Sequence, residues 1–337
     1  MNWLGLDVGG ANVKVADGDG WAVSRPFHVW REPSRLRAVL AELIATADRA
    51  DAIALSMTGE LADCFATKAD GVRAIIDATL AAASGRRLRV YTVDGSFVSA
   101  AEASQRPLMA AAANWHALAR LAARYITERI GLLVDIGSTT SDLIPIVDHA
   151  PAPVGRNDSQ RLVAGELVYT GVRRTPVCNL VGALPWRGSQ APVAAELFAT
   201  TWDAYLVLGD LSDAPDRTDT ADGRPATKAA ARDRLARMIC ADRDMFDETD
   251  AFAAATAVAR AQQAKLAVAL AQVTRRLPSP SRQVITSGEG EFLARRVLER
   301  IRWPAELISL GERLGEAVSH CATAHALAVL AREGETP

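Results

Sequence analysis

The sequence lacks the features of membrane, secreted and nucleic-acid-binding chains. Its 337 residues include no uncharged apolar run of the roughly 18 residues that a membrane span needs. The opening MNWLGLDVGG has neither the basic segment nor the long apolar core of a signal peptide. With 38 basic and 40 acidic residues, the chain has a net charge of -2, which gives no support for binding to nucleic acid or to a membrane surface. We therefore expect a soluble, cytoplasmic protein without nucleic-acid or membrane partners.

Cysteine and histidine are also sparse. The four cysteines are scattered without a CxxC pair, which excludes a zinc ribbon and a disulfide framework. His320 and His325 are five residues apart on a predicted helix and do not share a face, so the sequence predicts no two-histidine metal site there.

Helical and strand patterns alternate along the chain. Residues 2–8 read as a buried strand, and apolar residues recur at helical spacing over 34–49 and 68–83. This alternation is typical of α/β folds, and the length allows about two domains. We predict domains over 1–128 and 129–337, with the last helix able to pack back on the first domain.

Three further stretches predict two helices and a loop. Residues 109–128 are rich in alanine and predict a helix, and residues 316–332 predict the final helix. Residues 211–228 (LSDAPDRTDTADGRPATK) are rich in Asp and Thr and predict an exposed, mobile loop.

Two segments share one unusual pattern. In the first, an apolar strand reaches Asp7, turns at glycines and resumes as VKVAD; in the second, GLLVDIGSTTSDLIPI repeats that order around Asp135. Such an internal repeat predicts two similarly built halves that face one another across a cleft.

The two turns suit a phosphate site. Glycine lets backbone amides approach phosphate oxygens, and an aspartate at each strand end can hold Mg²⁺ or its waters. Asp7 and Asp135 are therefore the predicted metal ligands; the alternative is that they only stabilise tight hairpins. The predicted phosphate-binding residues are Gly9, Gly10, Ala11, Asn12, Lys14, Gly137, Ser138, Thr139 and Thr140. A third turn adds Ser287, Gly288 and Gly290, where a ring or a phosphate could approach the next helix, although a plain strand-to-helix turn would look the same.

These motifs carry a family resemblance. The order DVGGANVK, DIGSTTSD and TSGEGEFL resembles the two phosphate motifs and the adenosine motif of the sugar-kinase, Hsp70 and actin superfamily. SMTGELAD (56–63) and GELVYTGVRRTPV (165–177) resemble its hydantoinase A and oxoprolinase branch. AAANWHALA (111–119) is similar to proteins of tetrahydromethanopterin-linked one-carbon transfer, whose archaeal relatives are methanofuran-biosynthesis enzymes.

The resemblance implies a two-domain, actin-like (ribonuclease H-like) α/β fold with a phosphate-binding cleft between the domains. It also implies a transferase of methanofuran or methylofuran biosynthesis, which joins an aminomethylfuran methyl diphosphate to the phenol of tyramine or tyrosine, glutamylated or not, and releases pyrophosphate. The alternatives are an ATP-dependent kinase or a hydantoinase-like hydrolase, and a nucleotide-sensing regulator. The sugar-kinase catalytic base has no counterpart here, and Glu289 stands between the glycines of the third turn. Both departures weigh against ATP without removing it from the alternatives, and a homodimer is left open.

The resemblance also implies roles for particular side chains. Besides Asp7 and Asp135, the candidate catalytic residues are Asp142 and Glu60, either of which could accept the phenol proton; Glu60 could instead cap the next helix. The predicted substrate-binding residues are Thr58, Gly59, Asn114, Trp115, Tyr169, Arg173 and Arg174. For the aromatic pair the alternative is a core position, for Asn114 a neighbouring carbonyl as its partner, and for the arginines a solvated surface.

Overall fold

The computed structural model describes residues 1–47 and 49–334. Asp48, which falls within the helix predicted over 34–49, and residues 335–337, which close the second predicted domain, lie outside the described residues.

The strands form two mixed sheets and one small hairpin. The first sheet contains β1 (Trp3–Val8), β2 (Asn12–Ala16), β3 (Ala22–Pro26), β4 (Ala52–Met57), β5 (Arg87–Tyr91) and β6 (Phe97–Ser99). The strands in the rest of the described chain are β7 (Ile130–Ile136), β8 (Ser141–Val147), β9 (Ala150–Pro151), β10 (Leu167–Val168), β11 (Ala183–Trp186), β12 (Ser189–Pro192), β13 (Gln283–Ser287) and β14 (Glu306–Ser309). Of these, β11 and β12 form the separate hairpin.

Helices alternate with these strands, as the sequence predicts. They are α1 (Leu36–Ala45), α2 (Lys68–Ala82), α3 (Ala100–Gln105), α4 (Pro107–Ala110), α5 (Asn114–Ala122), α6 (Asp158–Ala164), α7 (Thr201–Leu208), α8 (Lys228–Arg237), α9 (Glu248–Thr274), α10 (Glu291–Arg300), α11 (Leu310–Leu314), α12 (Glu316–His320) and α13 (Ala322–Glu333). Among the described residues, none of the helices has the length and apolar character to cross a membrane.

The two sheets share one strand order. The first runs β3-β2-β1-β4-β5-β6 and the second β10-β8-β7-β13-β14. In each, an antiparallel hairpin (β1 with β2, β7 with β8) is followed by parallel neighbours (β4, then β5; β13, then β14). β1 and β4 are buried along their whole length, which explains their near-continuous apolar sequences. The carboxyl ends of parallel strands meet at one edge of a sheet, so each Asp-Gly turn lies at such an edge.

Helices cover both faces of the first sheet. α1 and α2 share a hydrophobic core with β1 and β4 on one side, while α5 and α13 pack on the other side. The contact between β1 and α13 is very close: a Cβ at Gly5 would lie 1.8 Å from the carbonyl oxygen of Ala324. The last described helix is therefore packed on the first sheet. The domain boundary at 128 stays a prediction.

We expect Gly5→Ala to destabilise the protein strongly. The added methyl group would collide with backbone atoms of α13, which cannot move aside as a flexible side chain can. The free energy of unfolding is therefore expected to fall by about 1–3 kcal/mol or more. Urea unfolding measures it, with Gly182→Ala as the control because a Cβ at Gly182 meets no atom within 4 Å. Equal stability of the two variants would contradict the close packing of α13 on β1.

Two predictions from composition need correction. The helix predicted over 109–128 is interrupted, because Ala112 adopts a left-handed φ of 47° and separates α4 from α5. The loop predicted over 211–228 is not simply exposed: Ala214 and Ala226 form a β-bridge, and Asp222 pairs with the buried Arg234. The final helix predicted over 316–332 is present but is divided into α12 and α13 at Cys321.

Candidate functional site

The two predicted phosphate turns have the same geometry. After β1, the amide of Gly9 donates a 2.9 Å hydrogen bond to the carbonyl of Asn12, and after β7 the amide of Gly137 donates one of 2.9 Å to the carbonyl of Thr140. A Cβ at Gly9 would lie 2.9 Å from that Asn12 oxygen, so the first turn has no room for a side chain there. The sequence repeat therefore corresponds to a structural repeat.

The third turn lies against the second. Ser287 at the end of β13 is in register with Asp135 on β7, and the amide of Gly290 donates a 2.9 Å hydrogen bond to the carbonyl of Ile136. Gly288 has a φ of +84°, and a Cβ there would lie 2.4 Å from the Ile136 oxygen. The glycines of this turn are required by backbone conformation and close packing.

Two cavities are lined by residues of the phosphate turns. Cavity A, of about 340 Å³, collects residues from all three turns: Asn12, Lys14, Asp135, Gly137, Ser138, Ser287 and Gly288, with Arg173 and Glu289 beside them. Cavity B, of about 540 Å³, is lined by Gly10, Ala11, Thr58, Glu60, Asn114, Thr139, Thr140, Asp142, Tyr169 and Arg174. Ala11 and Thr139 line cavity B while their neighbours Asn12 and Ser138 line cavity A, so both turns contribute residues to both cavities.

Five predicted site residues line neither cavity. They are Asp7, Gly9, Gly59, Trp115 and Gly290. The glycines have packing roles instead, since a Cβ at Gly59 would lie 3.1 Å from the carbonyl oxygen of Gly9 and one at Gly290 only 2.4 Å from the side chain of Ile136. Trp115 is 3% exposed and lies in the core, beneath the guanidinium of Arg161. Trp115 therefore occupies the core position that the sequence analysis gave as the alternative to substrate binding.

The two turn aspartates are buried carboxylates close to one lysine. Burial raises the pKa of Asp7 to about 6, and the charge of Lys14, its cross-strand neighbour, opposes that shift. Burial likewise raises the pKa of Asp135 to about 6, with a further upward contribution from Asp142 and a downward one from Lys14. Oδ1 of Asp7 has no hydrogen-bond partner among the described residues.

This arrangement fits a magnesium ion. No group of three or more His, Cys, Asp or Glu side chains that could hold a metal is found within residues 1–47 and 49–334. Magnesium does not need such a group, because it commonly keeps several waters and uses one or two carboxylates together with substrate phosphates. The orphaned oxygen of Asp7 and the carboxylate of Asp135 are of the required donor type.

Glu60 is a buried acid of cavity B that lacks a hydrogen-bond partner for one carboxylate oxygen in the described structure. It lies in a short 3₁₀ turn (Gly59–Leu61) after β4, is 1% exposed, and its Oε2 has no hydrogen-bond partner in the described structure. Burial raises the pKa of Glu60 to about 7. Its backbone is held in place by α2, where a Cβ at Gly71 would lie 2.2 Å from the Glu60 carbonyl oxygen. Such a carboxylate can exchange a proton near neutral pH.

Asp142 differs from Glu60 because it has a cationic partner. It accepts a hydrogen bond from Arg161, which is fully buried and stacks 4.1 Å from the centre of the Trp115 ring. Burial raises the pKa of Asp142, and Arg161 opposes that shift. Of the two proton acceptors that the sequence left open, Glu60 is therefore the freer one.

The adjacent arginines serve different cavities. Arg173 lines cavity A and donates a 2.6 Å hydrogen bond to Glu289, while Arg174 lines cavity B. Their backbone amides both donate to the carbonyl of Ser138, at 3.0 and 3.1 Å. The segment that carries them thus braces the second turn.

Sequence reasoning missed the residues that hold this segment. Gln262 of α9 is completely buried and donates 2.8 Å hydrogen bonds to the Thr170 hydroxyl and to the carbonyl of Gly171. A polar residue in an Ala-rich helix is the one available signal, because a buried amide needs partners. Arg161 and Gly71 gave no such signal in the sequence.

The paired sheets and paired turns define an actin-like α/β protein. Acetone carboxylase in its nucleotide-free form has this fold, with a TM-score of 0.56 at 11% identity over 97% of this chain and 70% of that one. The PilM–PilN type IV pilus biogenesis complex gives a TM-score of 0.53 at 14% identity over 100% and 99%. The predicted fold class is confirmed.

The chain belongs to the hydantoinase/oxoprolinase family, whose sequence model matches residues 51–333. A curated protein of Methanocaldococcus jannaschii, (4-{4-[2-(gamma-L-glutamylamino)ethyl]phenoxymethyl}furan-2-yl)methanamine synthase, is 33% identical over 330 residues, which are 97% of this chain and 96% of that protein. A synthase of the same name from Methanococcus vannielii is 29% identical over 216 residues, or 62% of this chain and 95% of that protein. The family resemblance found in the motifs is confirmed.

Proposed function

We propose that the protein is a transferase of methanofuran-type cofactor biosynthesis. It joins an aminomethylfuran methyl diphosphate to the phenol of γ-glutamyltyramine and releases pyrophosphate. The observation that carries this proposal is the similarity, over nearly the full chain, to a synthase whose name specifies that ether. The chain is accordingly an enzyme, and we place it in the cytoplasm.

The reaction breaks one carbon–oxygen bond and forms another. The furylmethyl carbon loses its bond to the diphosphate oxygen, which leaves with the electron pair as pyrophosphate, and the phenol oxygen takes its place. The phenol proton must go to a base, since an ordinary phenol has a pKa of about 10. The protein therefore has to stabilise charge on the leaving group and remove a proton from the acceptor.

Cavity A and the turns suit the leaving group. The backbone amide of Ser138, the ammonium of Lys14 and the guanidinium of Arg173 belong to residues that line cavity A and can donate to phosphoryl oxygens. Magnesium held by Asp7 and Asp135 would supply further neutralisation of the departing charge. Glu289 stands between the glycines of the third turn, where a closely stacked purine would need a small residue, and its charge is neutralised by Arg173.

Cavity B suits the phenolic acceptor. Glu60 offers a carboxylate with a pKa of about 7, and Tyr169 offers an exposed aromatic ring on the same wall. With the diphosphate bound at the shared turns and the phenol near Glu60, the reacting carbon would lie between the two cavities. Glu60 would then take the phenol proton in cavity B, while the pyrophosphate leaves into cavity A.

A direct assay tests the proposal. Incubated with the furan diphosphate, γ-glutamyltyramine and Mg²⁺, the protein is expected to form the ether and pyrophosphate in equal amounts by mass spectrometry, without ATP. Added pyrophosphate is expected to inhibit competitively against the furan diphosphate. No ether from any phenolic acceptor would refute the transferase, and ATP consumption or tight ATP binding unaffected by pyrophosphate would favour the kinase, hydrolase or regulator alternatives.

A further inference from the structure

Two exposed arginines of cavity B have no acidic partner among the described residues. Arg31 and Arg174 both line the cavity, and no ion pair of either side chain is found in the described part of the chain. The other arginines that line the two cavities are paired: Arg161 with Asp142, Arg173 with Glu289, and Arg217 with Asp219. Cavity B therefore carries two guanidinium groups without an ion-pair partner in the described part of the chain, alongside the acids Glu60 and Asp63.

The two arginines lie close to the same residues. The guanidinium of Arg174 is 5.0 Å from the centre of the Trp30 ring, next in sequence to Arg31. Burial lowers the pKa of His28, and the charges of Arg31 and Arg174 lower it further, while Asp219 of the neighbouring Arg217–Asp219 pair raises it. Both guanidinium groups therefore lie near one imidazole. The two positive charges thus form one cluster.

Backbone hydrogen bonds fix the positions of both residues. The amide of Arg31 donates to the carbonyl of His28 at 3.0 Å, and the amide of Arg174 donates to the carbonyl of Ser138 at 3.1 Å. Arg174 is thus tied to the second phosphate turn. A ligand that contacts the cluster would have a defined position relative to that turn.

The cavity has a buried end and an exposed end. Glu60 is 1% exposed, whereas Arg31, Arg174 and Asp63 on the same cavity wall are exposed to solvent. The γ-glutamyltyramine part of the ether named for the relatives has the same polarity, with the phenol oxygen at one end and an amino-acid group at the other. The volume of about 540 Å³ is within the roughly 300–1,000 Å³ typical of small-molecule sites.

We propose that Arg31 and Arg174 bind the free α-carboxylate of the acceptor's γ-glutamyl group, which directs its phenol end towards Glu60. This inference rests on the proposed function and specifies its acceptor as the γ-glutamylated amine. Guanidinium groups suit the role because their planar fork matches a carboxylate, and the exposed Asp63 can receive the neighbouring ammonium group.

The test compares acceptors that differ only at the amino-acid end. γ-Glutamyltyramine and glutaryl-tyramine keep the terminal carboxylate, whereas 4-aminobutanoyl-tyramine lacks it. In Arg31→Ala and Arg174→Gln, kcat/KM is expected to fall roughly 10- to 100-fold more for the two carboxylate acceptors than for 4-aminobutanoyl-tyramine, mainly through KM. Arg300→Ala, an exposed arginine that lines neither cavity, serves as the control for loss of charge.

Each outcome separates this inference from the proposed function. Ether formation by the wild type with selective loss in the variants supports both. Ether formation with equal loss for all acceptors, or with no loss, overturns the carboxylate subsite and leaves the transferase intact. Failure of the wild type to form an ether from any acceptor overturns the transferase and, with it, the subsite.

Discussion

Asp7→Asn and Asp135→Asn are each expected to lower ether formation by about 100- to 1,000-fold while the protein stays folded. Asparagine keeps the size of the side chain but removes the negative charge that a magnesium ion needs as a ligand. Because burial raises the pKa of both aspartates to about 6, their ionised forms are disfavoured in the folded protein. The neutral amide should therefore cost no stability at pH 7.

The measurements for this pair are turnover, magnesium titration and urea unfolding. The magnesium concentration for half-maximal rate is expected to rise in both variants. Asp77→Asn is the matched control, since Asp77 is an exposed residue of α2 that lines neither cavity. Wild-type turnover in either Asp7→Asn or Asp135→Asn would mean that the turns do not hold the reacting phosphates.

Glu60→Gln is expected to lower kcat by about 100- to 10,000-fold, the range for loss of a general base. Glu60 accepts a proton only when it is ionised, and burial raises its pKa to about 7. The wild-type rate should therefore fall as the pH drops through 7, and the residual rate of the variant should lack that step. A pH–rate profile from pH 5 to about 9 measures both effects.

The stability of the same variant provides an independent check. A carboxyl group with a raised folded pKa keeps its proton longer in the folded state than in the unfolded state. Stability contributed by Glu60 is thus lost as the pH rises from its ordinary pKa of 4.5 to about 7, and Glu60→Gln should remove that decline. Glu299→Gln, an exposed substitution on α10, is the control. A Glu60→Gln enzyme with the wild-type pH–rate profile would show that another group accepts the proton.

The sequence predicts the strands of the site well, because their signal is local. β1 and β7 are apolar runs that end in an aspartate and a glycine turn, and both features are visible in neighbouring residues. The matching strand order follows from the same repeat. Local patterns likewise indicated α2, which lies within the helix predicted over 68–83.

The remaining parts of the site depend on contacts between distant residues. Arg161 reaches Asp142 across 19 positions, and Gln262 reaches Thr170 across 92, so neither pairing can be found from spacing. Composition could not predict the interruption at Ala112, because alanine by itself favours helix. A left-handed backbone at alanine is strained and persists only where tertiary packing compensates for it. The division of the turn residues between two cavities also requires coordinates.

The packing of α13 on β1 has a consequence for how the protein is made. The ribosome delivers β1 among the first residues of this sequence and α13 only after all the other helices. Until α13 emerges, the face of the first sheet around Gly5 has no permanent cover, and its apolar strands are exposed to water or to other nascent chains. The N-terminal half is therefore expected to mature late, when translation has reached the helix that seals it.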